Sequence, residues 1–247
     1  MHVSKSVREW KTRRRAMDGE SIGLVPTMGA LHRGHASLVE RCRAENDVTV
    51  VTIFVNPAQF NDPKDLDRYP RTFESDLALL DQLGVHEVLA PPASEFYPQG
   101  YRFRIEAEVL TNVMEGVYRP GFLQGVMTIV LKLLNLVRAD RAYFGEKDYQ
   151  QLRAVREMAA EFFVPTEIVA CPTVREESGL AESSRNALLS ADSRKRAAAL
   201  HQALRCPDTK SILEREGFLV DYVEEHWGRR FAAAFLDGVR LIDNVEL

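Results

Sequence analysis

A chain of 247 residues, 45% hydrophobic and 28% charged, can bury a substantial core as one large domain or as a medium domain with a small one. The formal net charge of −4, with basic residues spread along the chain, gives no electrostatic footprint for nucleic acid, and no apolar run reaches the roughly 20 residues that cross a bilayer. The three cysteines, Cys42, Cys171 and Cys206, lack any metal or disulfide spacing and read as reduced thiols of a cytoplasmic protein, and Lys11-Thr12-Arg13-Arg14-Arg15 is not followed by the apolar stretch of an export signal.

In chain order, residues 22–25 predict a short strand, 36–45 an amphipathic helix and 48–55 a β-branched strand, which together make a βαβ opening. A helix near 73–83, a short strand at 87–90, a long helix at 124–137, a strand at 141–144, a helix at 149–162 and a strand at 166–170 continue the alternation. The pattern predicts an α/β fold, a Rossmann-like doubly wound parallel sheet with helices on both faces. Beyond residue 174 a helix at 191–204, an extended stretch at 218–223 and a final segment at 239–244 predict a smaller α+β domain, which divides the chain into residues 1–174 and 175–247.

Doubly wound sheets bind ligands at the carboxyl ends of their strands, and that is where the unusual residues fall. The first such strand runs into Pro26-Thr27-Met28-Gly29-Ala30-Leu31-His32-Arg33-Gly34-His35. Two histidines around a glycine at a helix N-terminus put imidazole donors beside free backbone N–H groups and the positive dipole end, which suits a triphosphate. Taken singly, each histidine reads as a cap or a surface residue.

Asn56-Pro57-Ala58-Gln59 follows the second strand, and a neutral amide suits a hydroxy acid because it donates or accepts without adding charge. After the strand at 141–144 come Gly145-Glu146-Lys147-Asp148-Tyr149-Gln150-Gln151: a glycine turn, a lysine for phosphate and an aspartate for a ribose hydroxyl or a helix cap. Glu182-Ser183-Ser184-Arg185-Asn186 offers two hydroxyls and an arginine to charge moving onto pyrophosphate, or else an ordinary helix cap. Arg119 has the chemistry to face a carboxylate.

The PTMGALHxGH string is the HxGH signature of the nucleotidylyltransferase superfamily, and together with the other segments it resembles the pantothenate synthetase (pantoate–β-alanine ligase) family. The resemblance covers most of residues 21–190 and returns in patches, at residues 217–223 and 239–245, toward the end. It implies an ATP-dependent, AMP-forming carbon–nitrogen ligase that condenses pantoate with β-alanine through a pantoyl adenylate, in pantothenate and coenzyme A biosynthesis. By residue, it implies triphosphate and transition-state roles for His32, His35, Lys147, Ser183, Ser184 and Arg185. ATP binding extends to Pro26, Met28, Gly34, Gly145, Asp148 and Val174, and pantoate or β-alanine binding falls to Gln59, Gln151, Asn56 and Arg119. Mg2+ is expected to arrive with ATP with no dedicated protein ligands. The resemblance further implies a lid function for residues 175–247 and a homodimer, and neither nucleic acid nor membrane is an expected partner.

The sequence departs from the family pattern in two places. Phe122 and Leu123 stand where RPGHFxGV has histidine and phenylalanine, so a polar contact is missing there or supplied elsewhere. Glu182 puts a negative charge beside the serines, unfavourable near a triphosphate unless it points away or acts through magnesium. The segment between residues 223 and 239 is short for the family. Three alternatives stay open on sequence alone: another HxGH nucleotidylyltransferase, an RNA-interacting remnant of a class I synthetase, and a member with weakened catalysis that mainly binds nucleotide.

Overall fold

A computed structural model describes residues 1–61 and 63–247. The chain begins with β1 (His2–Ser4) and α1 (Val7–Arg15), followed by β2 (Ile22–Thr27), α2 (Arg33–Glu45) and β3 (Val48–Ile53). A 3₁₀ turn (Pro57–Gln59) precedes α3 (Pro63–Arg68), α4 (Phe73–Gln82), β4 (Glu87–Leu89) and α5 (Ala93–Phe96). Next come α6 (Glu115–Tyr118), α7 (Phe122–Val137), β5 (Arg141–Gly145), a second 3₁₀ turn (Glu146–Asp148), α8 (Tyr149–Glu161) and β6 (Glu167–Cys171). The last part holds a 3₁₀ stretch (Ser184–Leu188), α9 (Ala191–Ala197), α10 (Ala199–Leu204), α11 (Thr209–Arg215) and the strands β7 (Leu219–His226), β8 (Arg229–Leu236) and β9 (Val239–Glu246).

Strands β1–β6 form one sheet in the order β1-β4-β3-β2-β5-β6, parallel at β1–β4, β4–β3, β3–β2 and β2–β5. The strand order turns between β2 and β5, the switch point at which such sheets take ligands. β2 and β3 carry apolar residues on both faces because both are covered: Ile22, Leu24, Val25, Val50 and Val51 are all fully buried. One core cluster joins Val25 and Val51 to Leu38, Val39 and Cys42 of α2 and Leu80 of α4. Burial there pushes the Cys42 thiol up to about 12, so it stays protonated and inert at neutral pH.

Contacts divide the chain into two compact units: Met1–Leu31, His35–Phe144 and Gln150–Cys171 form the first, and His32–Gly34, Gly145–Tyr149 and Pro172–Leu247 the second. The second unit is built on the antiparallel sheet β7-β8-β9. Ala232, Ala234, Leu236 and Leu241 of that sheet pack with Leu200, Ala203 and Leu204 of α10 and Leu213 of α11 in a core of their own. The predicted helix at 191–204 is in fact two, broken at Ala198, and β8, which the sequence does not announce, supplies the middle strand.

Candidate active site

In the first unit, the turn after β3 carries a closed set of amide contacts. Asn56 is 1% exposed, and every hydrogen-bonding position of its side chain is filled. Its Nδ2 donates to Gln59 Oε1 at 2.9 Å and to Gly125 O at 3.1 Å, while its Oδ1 accepts from the Ala58 N–H at 3.3 Å and from the Tyr97 hydroxyl at 2.7 Å. Asn56 thereby orients the Gln59 amide. Two of its partners, Gly125 and Tyr97, come from other segments, which its motif does not reveal.

Arg119 closes over the same turn. Its Nη2 donates to Gln59 O at 3.3 Å, its Nη1 pairs with Glu115 at 3.2 Å, and its guanidinium lies 3.7 Å from the centroid of the Phe122 ring. Phe122 thus answers the first departure: in place of a polar contact it offers a buried aromatic face on which Arg119 rests. Gly125 of α7 is where that helix meets the Pro57–Gln59 turn, and a Cβ there would lie 2.2 Å from Ala58 O. Of the two glutamines on α8, Gln150 is buried and committed, accepting from the Glu115 N–H and donating to Leu110 O and Val113 O. Gln151 is half-buried and, among the described residues, has no side-chain partner.

The loop leaving β2 in this unit is shaped by a residue the sequence analysis does not single out. Asp76, 3% exposed in the first turn of α4, accepts from the Ala30 N–H at 3.0 Å and the Leu31 N–H at 2.8 Å. Ala30 takes a φ of 50° and Gly29 one of 85°, and two charge-assisted bonds hold that left-handed turn. Pro26 and Met28 lie half-buried on either side of buried Thr27, and His35 sits on α2, whose first turn carries no acidic residue to offset its positive end.

In the second unit, the Gly34 N–H donates to His32 Nδ1 at 3.1 Å, which puts the proton of the neutral ring on Nε2. Burial, reinforced by the nearby Lys147 ammonium and opposed by Asp148, lowers the His32 pKa to about 4, so the ring is neutral at pH 7. A Cβ on Gly34 would come within 2.9 Å of the His32 ring. Lys147 lies 3.7 Å from its neighbour Asp148. Lys147, Ser183, Arg185 and Asp243 line a narrow cleft.

Ser183 caps the 3₁₀ stretch by accepting from the Arg185 N–H at 3.3 Å, so the capping interpretation of this motif holds alongside any role in binding. Val174 accepts from the Glu182 N–H at 2.9 Å, which closes a short hairpin ahead of the serines. Glu182, the second departure, pairs with Arg33, the variable residue of HxGH, at 3.8 Å, and its side chain is 10% exposed. Among the described residues no group of three His, Cys, Asp or Glu gathers to hold a metal.

The model of the family described as pantoate-beta-alanine ligase matches residues 1–246. A pantothenate synthetase of Bdellovibrio bacteriovorus is 46% identical over 249 residues, covering 99% of each chain, and one of Coxiella burnetii is 44% identical over 98% of this chain and 96% of its own. The crystal structure of pantothenate synthetase from Thermus thermophilus superposes with a TM-score of 0.93 at 43% identity, covering 100% of this chain and 99% of that one. The pantoate-beta-alanine ligase of Francisella tularensis, complexed with beta-gamma ATP and beta-alanine, gives a TM-score of 0.95 at 38% identity, covering 100% and 97%. The short segment before β9 is thus no peculiarity of this chain, since two of these relatives are matched over 99% of their own length. Sequence, fold and the motifs at the strand ends agree, and the chain belongs to the pantoate–β-alanine ligase family of ATP-dependent carbon–nitrogen ligases.

Proposed function

We propose that the chain makes pantothenate in two half-reactions and divides the work between a neutral and a cationic group of residues. The observation that carries this division is the buried Asn56–Gln59 amide pair beneath Arg119, which is built to hold a hydroxy acid, set against the cluster of Lys147, Arg185 and neutral His32, which is built for phosphate. In the first half-reaction the pantoate carboxylate attacks the α-phosphorus of ATP, and the bond to the β-phosphate oxygen breaks to release pyrophosphate and leave pantoyl adenylate. Charge growing on the pyrophosphate is met by His32 through Nε2–H, by His35, Lys147 and Arg185, and by the Ser183 and Ser184 hydroxyls. Pro26, Met28, Gly34, Gly145, Asp148 and Val174 hold the rest of the nucleotide.

Gln59 and Gln151 hold pantoate, Arg119 its carboxylate or that of β-alanine, and Asn56 keeps Gln59 in place. In the second half-reaction the neutral amine of β-alanine attacks the acyl carbon, AMP leaves with the bonding pair, and the amine gives up a proton to solvent. No covalent enzyme intermediate is required. Magnesium enters as the counter-ion of the ATP phosphates. Residues 1–174 are assigned nucleotide and pantoate binding and residues 175–247 the part of a lid. We place the enzyme in the cytoplasm as a homodimer with small-molecule partners only.

The test is pyrophosphate release from MgATP with and without pantoate, then with β-alanine and product identification. Release that depends on pantoate, followed by AMP and pantothenate once β-alanine is present, is the expected result. ATP binding without release would favour the weakened-catalyst reading that Phe122 and Glu182 first raised.

A further inference from the structure

The segment Asp243-Asn244 near the C-terminus has no role in the division above, yet it is among the most heavily bonded pairs in the second unit. Asn244, 5% exposed on β9, donates from Nδ2 to both Glu146 O and Lys147 O at 3.0 Å. Its Oδ1 accepts from Arg229 Nη1 at 3.1 Å, and Arg229 in turn lies over the Tyr149 ring at 4.4 Å and 3.6 Å from Glu146. One primary amide thereby grips two successive carbonyls of the turn that carries Lys147. Because neighbouring residues of a strand face opposite sides, Asp243 points the other way. It is 4% exposed and takes Arg175 on both oxygens, at 2.6 and 3.0 Å, with His201 Nδ1 at 3.4 Å.

Arg175 is the base of the hairpin that leads to the serines. It bridges to Ala181 and donates to Gly179 O at 3.2 Å, while the Glu176 N–H donates to Leu180 O at 2.8 Å and the Glu182 N–H to Val174 O at 2.9 Å. Asp243 therefore anchors the stem of the segment that ends in Ser183, Ser184 and Arg185. Ionised Asp243 is required for this: against the opposing pull of burial, the Arg175 charge and its two hydrogen bonds, with His201 alongside, hold the carboxyl below the ordinary range.

We propose that Asp243 and Asn244 are positioning residues for adenylate formation, two adjacent side chains of β9 that fix the Lys147 turn on one side of the strand and the Ser183–Arg185 stem on the other. Both act by holding donors where charge appears on the leaving pyrophosphate, where a displacement of about 1 Å costs on the order of 10²-fold. This inference rests on the phosphate roles given above to Lys147 and the serine segment.

The half-reactions separate it from a plain stabilising role, because attack of β-alanine on ready-made pantoyl adenylate needs no triphosphate donors. Asn244→Ala and the milder Asn244→Ser are expected to slow pantoate-dependent pyrophosphate release about tenfold or more, with pantothenate formation from supplied pantoyl adenylate within about twofold of the parent. Asp243→Asn, which can still accept one bond from Arg175, is expected to give a smaller loss of the same kind. Equal loss in both half-reactions, or no loss in either, overturns the proposal. Lys147→Ala is the control: if it leaves pyrophosphate release intact, the phosphate role of the turn fails, whereas if it slows release and the strand variants do not, the clamp alone fails.

Discussion

The two groups of side chains proposed to hold the substrates are built on opposite plans. In the first unit Asn56 and Gln59 are buried and neutral, and each polar atom of the Asn56 side chain is spoken for by Gln59, Gly125, Ala58 or Tyr97. In the second unit Lys147, Ser183 and Arg185 are only half-buried and are steadied from behind, through backbone carbonyls and a hairpin stem. A small hydroxy acid is recognised by short directional bonds, which work only if the donors are fixed to within fractions of an ångström. A triphosphate is recognised largely by charge, which acts over longer distances and tolerates more freedom. The neutral group should therefore be brittle toward added volume and the cationic group tolerant of it.

Gly125→Ala is the sharpest way to test that contrast and carries the largest expected effect. Its Cβ would sit 2.2 Å from Ala58 O and 2.8 Å from the Gln59 N–H, both backbone atoms that cannot rotate aside. Overpacking of this kind costs about 1–3 kcal/mol. Displacing the Gln59 turn should raise the pantoate KM by about tenfold to a hundredfold while leaving the ATP KM nearly unchanged, as steady-state kinetics with each substrate varied would show. Gly34→Ala makes a similar clash in the second unit, but with the His32 ring at 2.9 Å, a side chain free to swing. Here the thermal midpoint should hold, and pyrophosphate release should slow about tenfold as His32 loses its bond from the Gly34 N–H. A drop of several degrees in midpoint for Gly34→Ala, with none for Gly125→Ala, would reverse the contrast.

The same contrast explains what could be read from the sequence. The β2–α2–β3 opening, α7, β5 and α8 announce themselves because β-branched runs and 3.6-residue periodicity are local signals. β8 does not, since Arg229-Arg230-Phe231-Ala232-Ala233-Ala234-Phe235-Leu236 contains no β-branched residue and its alanines favour helix. They lie in a strand because β7 and β9 pair with it on both edges and the three alanines are fully buried. The break at Ala198 is equally silent, with no proline or glycine to mark it. At the site, residue types that suit phosphate could be read from motif and position. The partners that aim them could not: Asp76 lies 45 residues from the amide of Leu31, and Asn244 lies 97 from the carbonyl of Lys147. Nor does any linear boundary express a compact unit that takes His32–Gly34 and Gly145–Tyr149 together with Pro172–Leu247.

Phe122→Leu probes the aromatic ring beneath Arg119 in the neutral group. Losing the ring 3.7 Å beneath the Arg119 guanidinium removes an interaction worth about 0.5–2 kcal/mol. The KM of whichever substrate carboxylate Arg119 holds should rise several-fold with kcat little changed, which also identifies that substrate. His32 gives a pH test in the other group. Its folded pKa of about 4 lies below the ordinary histidine value of 6.5, so between those values the unfolded chain binds a proton that the folded chain refuses. Stability contributed by this residue is complete above about pH 6.5 and is lost as pH falls toward 4. Compared with the parent, His32→Gln should therefore melt at a relatively higher temperature at pH 4.5 than at pH 7.5. An unchanged gap between the two midpoints would mean that the ring is not held neutral.

Glu182→Gln should have the smallest effect and decides between two uses of a charge that does not suit its surroundings. Glu182 is largely buried but its partner Arg33 is 73% exposed and 3.8 Å away, a loose pair of little net worth. If Glu182 serves only to hold Arg33, its neutralisation frees a cation on the HxGH turn and removes a negative charge beside the serines. The ATP KM should then fall by about twofold at low ionic strength and return to the parent value as salt screens the difference. If instead Glu182 acts through magnesium, the same substitution should raise the magnesium concentration needed for half-maximal pyrophosphate release, and the ATP KM should climb. The two outcomes have opposite signs, so a magnesium titration at two salt concentrations separates them even though either effect is small.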